Sequence, residues 1–324
     1  MSHSKYKIYQ KDWKILRELD MDARQSSSKI AKKLKLSPEV VNYRIKKLEV
    51  NNIITHYQLI VNLSKLDIFQ FKICLSLQHL QSSKLNDIIE KLKNNQSVKW
   101  VVSCNGNWDL IISLETDSIE DMDILKNEIL SIFETYINKK AISILIEADT
   151  YNRDYLTDEK KELSKPRAIM KKGEKVKLDE LDMDILKQLS ENARKPVIQI
   201  SKELNTAPRV IMYRIKQLKK ENIIIGYKIA LNYEKLGIKF FKTLFYLDNP
   251  KKEKINTLIK YFEMNKNIIH HAKVLGNWDF EPEFEVYSEK EFNTIITDIK
   301  DKFSEIIKNI DIITITKEHK FVYL

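Results

Sequence analysis

Cysteine is nearly missing from this 324-residue chain, which holds only Cys74 and Cys104. Two thiols in separate stretches cannot form a disulfide framework, so a reduced, intracellular setting is expected. Glycine and proline are scarce, at five and six residues. The sequence shows no phosphate-binding glycine loop, zinc-spaced Cys/His cluster or nucleophile motif, so no catalytic residue, metal or cofactor is expected. Apolar runs long enough to span a membrane are also lacking, and no charged-then-apolar signal opens the chain. A cytoplasmic protein with no membrane partner is therefore expected.

What the chain does have is positive charge, with 56 Lys and Arg against 46 Asp and Glu. The net +10 favours a polyanionic partner. The excess is uneven. Residues 11–57 carry eleven basic side chains against six acidic ones, and residues 182–227 carry nine against five. Residues 58–150 reverse the balance, nine against thirteen. The length suits two to four domains.

One stretch organises the rest. Residues 37–57 read SPEVVNYRIKKLEVNNIITHY. Ser37 can cap a helix, Pro38 suits its first turn, and Val41, Ile45 and Leu48 form a narrow apolar stripe. Asn51 and Asn52 tolerate the left-handed conformation that closes helices. The outer face is polar and basic. The same pattern returns at a constant offset of 170 as APRVIMYRIKQLKKENIIIGY, and twenty of the forty-six positions from 12 to 57 are identical between the copies. The chain is a tandem duplication.

Within the first copy, Ile15, Leu16 and Leu19 mark one helix, and Ile30, Ala31 and Leu34 a second. With the helix after Ser37 they make a helix-turn-helix, and residues 53–59 read as the strand of a wing. Phe69, Phe71, Ile73, Leu75 and Leu77 then alternate with polar residues as in a strand. Residues 83–93 follow as a helix, 98–104 and 110–114 as strands, a helix begins at Ser118, and 141–146 is the last strand. The order βαββαβ predicts an antiparallel sheet with both helices on one face, leaving a partly apolar face for a partner. The expected fold class is α+β, with two copies of a winged helix-turn-helix followed by a ferredoxin-like domain. The expected domains are 1–60 and 61–151, then 178–230 and 231–324. Residues 152–177 form a polar linker, with a transient helix near 159–163.

The ordered set Ala23-Arg24, Ile30-Ala31, Leu36-Ser37-Pro38, Arg44-Ile45, Leu48, Ile53-Ile54 and Gly106 with Asp109 resembles the Lrp/AsnC, or feast/famine, family of transcriptional regulators. In the second copy the resemblance rests on residues 192–196, Arg214-Ile215, Leu218, Gly226-Tyr227, Leu236-Gly237 and Gly276 with Asp279. It covers nearly the whole chain, twice. Asn52 and Asn222 stand where the family usually has glycine, Leu66-Asp67 where it has Leu-Gly, and two copies per chain is the largest departure. The resemblance implies a sequence-specific regulator with double-stranded DNA as partner, an amino acid or other small effector, and self-association through the regulatory domains. That association can form within one chain as a pseudo-dimer or between chains.

The candidate DNA-facing residues are Ser37, Glu39, Val40, Asn42, Tyr43, Lys46 and Lys47, then Arg209, Val210, Met212, Tyr213 and Lys216, with Arg44 and Arg214 reaching for phosphate. Ala207 replaces the capping Ser37 and leaves Thr206 as an alternative cap. Gly106, Asn107, Trp108 and Asp109, with Gly276, Asn277, Trp278 and Asp279, match the family's effector region. An ordinary hairpin with a core Trp is the competing reading. Glu281, Glu283 and Glu285 alternate on one strand and read as a solvated or salt-bridged face, with a metal or cationic-ligand site as the alternative. His270-His271 is the one hint of chemistry, because the related sirohaem decarboxylases use histidines in this region. A Lrp-like enzyme of that kind, or a small-molecule sensor that no longer binds DNA, is the alternative function.

Overall fold

The computed structural model describes residues 7–157, 165–171 and 174–322. The helix expected near 159–163 lies outside them. In the first copy α1 (Gln10–Met21), α2 (Ser27–Leu34) and α3 (Pro38–Val50) form the helix-turn-helix. Ser26 and Ser37 accept the backbone N–H groups of Lys29 and Val40, which start the second and third helices. Asn52, at φ 51°, provides the left-handed turn after α3. There follow β1 (Ile54–Val61), β2 (Phe69–Leu77), α4 (Ser82–Asn94), β3 (Val98–Asn105), β4 (Leu110–Thr116), α5 (Ile119–Phe133) and β5 (Ile137–Thr150), with β6 (Arg167–Met170) after them.

The second copy repeats the plan. It comprises α6 (Glu180–Glu191), α7 (Val197–Glu203), α8 (Pro208–Lys220), β7 (Ile224–Leu231), α9 (Tyr233–Leu236) and β8 (Lys239–Leu247), then α10 (Lys252–Met264), β9 (Ile268–Leu275), β10 (Glu283–Val286), α11 (Glu289–Phe303) and β11 (Ile307–Phe321). Ala207 gives α8 no side-chain cap, and the Thr206 hydroxyl donates to the Leu204 carbonyl at 2.9 Å, so it does not replace Ser37. Asn222, at φ 53°, closes α8 as Asn52 closes α3.

The strand expected as a wing pairs elsewhere. β1 lies antiparallel to β7, with Gln58 opposite Lys228, so each copy's strand completes the other's ribbon. Symmetric contacts lock the exchange. Ala23 N–H donates to the Tyr227 carbonyl at 3.1 Å, and Ala193 N–H to that of Tyr57 at 3.0 Å. Arg24 stacks over Tyr227, and Arg194 over Tyr57.

The regulatory halves also join within the chain. Strands β2-β4-β3-β11-β8-β10-β9-β5 run in that order, and a β2–β5 pairing closes the ring. The two seams between copies are β3–β11 and β5–β9. The inward faces of the two halves are therefore buried against each other. Phe71, Ile73 and Leu75 pack outward under α4 and α5, while Cys74, Trp100, Val102, Cys104 and Ile111 fill the inside with their second-copy partners. The expected open sheet faces cover each other.

The expected linker is not uniformly loose. Asn152, Arg153, Tyr155 and Leu156 are buried, and β6 adds to the edge of β5. β5 itself runs four residues past each end of the expected strand. Among the described residues no helix is long and apolar enough to cross a membrane.

Candidate DNA-reading faces and a buried charge cluster

Val41, Ile45 and Leu48 anchor α3 inward, as Ile211, Ile215 and Leu218 anchor α8. The opposite faces are open. Ser37, Glu39, Val40, Asn42, Tyr43, Lys46 and Lys47 are exposed on one head, and Arg209, Val210, Met212, Tyr213 and Lys216 on the other. Tyr43 and Tyr213, at equivalent positions, are 59% and 58% exposed. Hydrogen bonds from its own backbone N–H and from the Ser37 hydroxyl hold the Glu39 carboxyl below its ordinary range, so it stays charged. Arg44 and Arg214 turn inward instead. Arg44 donates to Asp12 at 2.8 Å, and Arg214 donates to Asp179 at 2.7 Å and Asp182 at 3.2 Å. They tie the reading helix to the first helix of its unit, which corrects the expectation that they reach for phosphate.

The two Gly-Asn-Trp-Asp turns hold the copies together. A Cβ on Gly106 would stand 2.7 Å from the Ile312 carbonyl oxygen, and one on Gly276 2.8 Å from that of Ile142. Each hairpin thus seats on the last strand of the other copy. Asp109 accepts the Leu77 N–H at 2.7 Å, and Asp279 accepts that of Leu247 at 2.8 Å. Trp108 and Trp278 are buried with ring centroids 6.4 Å apart. Asn107 and Asn277 face outward. One oxygen of each carboxylate thus holds the strand next to its own hairpin.

The glutamates of the second copy are not solvated. Glu281 and Glu285 are fully buried and Glu283 nearly so. Glu281 accepts from Lys72 at 2.5 Å, Lys242 at 2.8 Å, the Ser143 hydroxyl at 2.8 Å and the Trp278 indole at 2.9 Å. Burial would raise its pKa, but Lys242 and Lys72 outweigh that and hold it well below the carboxylate range. Glu283 takes a second bond from Lys242 at 2.9 Å. Lys72 and Lys242 are equivalent under the 170-residue offset, but Ile111 and Ser113 stand where Glu281 and Glu283 would.

Glu285 belongs to a junction that the sequence reading missed. Arg153, placed in the expected linker, donates to Glu285 at 2.8 Å, Asp20 at 2.6 Å and the Ile229 carbonyl at 2.9 Å. One buried guanidinium thereby joins the first head, the ribbon and the barrel. Tyr155 and Leu156, out of place in a polar linker, were the available signal.

The paired histidines separate. His271 packs outward against Phe262 and Phe280, 2.7 Å from the Tyr151 hydroxyl, and burial lowers its pKa to about 3. His270 points inward, and burial lowers it to about 4. It lines a cavity of about 80 Å³ where the ribbon meets the barrel. Among the described residues no cluster of His, Cys, Asp or Glu is arranged to hold a metal.

Comparison with known proteins places this geometry. A winged helix-turn-helix DNA-binding family profile matches residues 10–55 and 178–225. An uncharacterized HTH-type transcriptional regulator of Pyrococcus furiosus is 33% identical over 104 residues, covering 32% of this chain and 69% of the relative. The HTH-type transcriptional regulator LrpA of Pyrococcus horikoshii is 42% identical over 60 residues, covering 18% and 43%. Among solved structures, the siroheme decarboxylase NirDL superposes with TM-score 0.60 at 14% identity, covering 96% of this chain and 93% of that one, so it shares the two-copy fold. Two helix-turn-helix units that both match that profile, each followed by a βαββαβ unit, together with these relatives place the chain in the Lrp/AsnC family of helix-turn-helix transcriptional regulators.

Proposed function

We propose that this chain is a cytoplasmic, single-chain DNA-binding regulator whose two heads read the unlike halves of one asymmetric site. The carrying observation is that both reading faces are exposed within one pseudo-dimer yet differ in chemistry. Val40/Val210, Tyr43/Tyr213 and Lys46/Lys216 match. Glu39 faces Arg209 across the duplication, Asn42 faces Met212, and Lys47 faces Gln217. The shared lysines suit phosphate, whereas Glu accepts from the cytosine amino group and Arg donates to guanine. Recognition-helix residues near the N-terminus contact base edges, and Glu39 and Arg209 sit there. Selection from random duplexes tests this. The expected site is non-palindromic, and Glu39→Arg makes its halves more alike. A palindromic site for the wild-type chain overturns the asymmetry, and no complex at low salt overturns DNA binding itself.

Because one chain closes both seams of the barrel, the expected solution mass is that of a single 38.4 kDa chain, which light scattering measures. NirDL acts as a siroheme decarboxylase, and its fold raises that reading for this chain. The cavity beside His270 is about 80 Å³, against roughly 300–1,000 Å³ for ligand pockets in general, so that cavity by itself does not hold a tetrapyrrole. A sirohaem absorption spectrum that stays unchanged on incubation with the protein is the expected result.

A further inference from the structure

The cavity at the ribbon–barrel junction has walls from both copies, and the two walls are unequal. In the second copy Lys242, Glu283 and His270 lie in one row across β8, β10 and β9. The equivalent row in the first copy is Lys72, Ser113 and Trp100 across β2, β4 and β3. Serine stands where the second copy carries the carboxylate. Ser113 is 2% exposed, lines the cavity, and its hydroxyl has no hydrogen-bond partner among the described residues.

Donors on this side are in surplus. An ammonium group has three N–H donors, yet among the described residues the one carboxylate bonding Lys72 is that of Glu281. Lys228, across the cavity on the ribbon, donates to the Tyr151 carbonyl and lies 3.8 Å from Asp20. Burial lowers its pKa to about 8, so at neutral pH it is still mostly charged. The acids facing the cavity are already engaged. Glu283 holds Lys242, and Glu318 accepts the Trp100 indole N–H at 2.9 Å. The Trp100 and Phe240 rings add apolar wall. At roughly 10–15 Å³ per water, about 80 Å³ holds five to eight waters or one small organic molecule.

We propose that this cavity binds a small organic carboxylate, whose oxygens take the place of the missing glutamate between Lys72 and Ser113 while its apolar body lies against Trp100. A role for that ligand as effector rests on the DNA-regulator reading above, because the cavity touches the ribbon that joins the heads.

The test is calorimetric titration of the full chain with 4-methyl-2-oxopentanoate and with benzoate, beside L-leucine and inorganic phosphate. The expected result is a dissociation constant below about 1 mM for at least one carboxylate, with the amino acid and phosphate at least tenfold weaker. Ser113→Glu rebuilds the second-copy row and is expected to weaken the carboxylate at least tenfold. Ser113→Ala, which removes only an unpartnered hydroxyl, keeps the fold testable and is expected to weaken it several-fold. No binding of either carboxylate, tighter binding of leucine or phosphate, or unchanged affinity in both variants overturns the proposal. DNA binding is measured on the same samples. A chain that binds DNA but no carboxylate refutes the site alone, and one that binds carboxylate but no DNA refutes the regulator reading alone.

Discussion

Replacing Glu281 with leucine should be among the most damaging single changes in the barrel. The carboxylate is fully buried and accepts four bonds, from Lys72, Lys242, Ser143 and Trp278. Lys242 keeps Glu283 after the change, but Lys72 keeps no bonded carboxylate. Removing one partner of a buried pair costs about 3–5 kcal/mol, because the remaining charge is stranded away from water. Urea unfolding followed by Trp fluorescence reads the loss. A second change, Lys72→Leu, removes the stranded charge and should return at least half of the stability, since hydrophobic replacement of a buried pair is often close to neutral. The pH dependence carries its own sign. In Glu281→Leu the folded-state pKa of Lys72 falls further below its ordinary value, while the unfolded chain keeps it near 10.4, at about the free-lysine value. The unfolded state then binds more protons, so the deficit shrinks as pH rises toward 10. A cost under about 1 kcal/mol, or no recovery in the double variant, refutes the argument that this pair neutralises the barrel interior.

Other perturbations test other parts of the fold. Burial raises Glu115 to about 8 against partial relief from Lys99 at 3.7 Å, so its protonated form is favoured by folding. That contribution is complete below about pH 4.5 and lost as pH rises through 8, so Glu115→Gln should match wild type in acid and exceed it by about 1–3 kcal/mol at pH 8 in denaturant titrations. Gly106→Ala should cost about 1–3 kcal/mol and more than Gly276→Ala, because both meet a carbonyl oxygen under 3 Å but only Gly106 also sits at φ +128°. Equal melting temperatures for the two variants would contradict this. Ala207→Ser supplies the cap that α8 lacks and should add about 0.5–1 kcal/mol in thermal melts.

Much of this architecture was legible in the residues because local rules agreed with the global fold. The caps at Ser26, Ser37, Ser118 and Ser288, the left-handed Asn52 and Asn222, and the strand alternation from Phe69 to Leu77 each act over a few residues. What stayed hidden depends on chain segments far apart in sequence. A partner was expected on the polar side of β2, but alternation alone does not show that the opposing sheet is the second copy's or that Glu281 there pairs with Lys72. The pairing of the wing strand, the seats of the Gly-Asn-Trp-Asp turns and the role of Arg153 stayed hidden for the same reason, since their partners lie about 75 to 210 residues away. Arg44 and Arg214 were expected to reach for phosphate, but Asp12 and Asp182 meet them from the first helix of each unit.

The distribution of buried charge bears on why the two copies pair with each other and not with their own kind. Lys72 and Lys242 hold equivalent places, but Glu281 and Glu283 occur only in the second copy. Two first-copy faces packed together would bury two lysines with no carboxylate from these positions, a net +2. Two second-copy faces would bury two lysines with four carboxylates, a net −2. The unlike pair buries two of each and balances. Since an uncompensated buried charge costs several kcal/mol, either like pairing is penalised by much of a typical domain's stability of about 5–15 kcal/mol. The penalty favours unlike over like pairing of the copies, and it fixes one copy of each head on either side of the pseudo-axis. That fixed pairing is what allows Glu39 and Arg209 to diverge at the reading faces: in a symmetric dimer both halves would carry the same residue, and the site read would have to be symmetric with it.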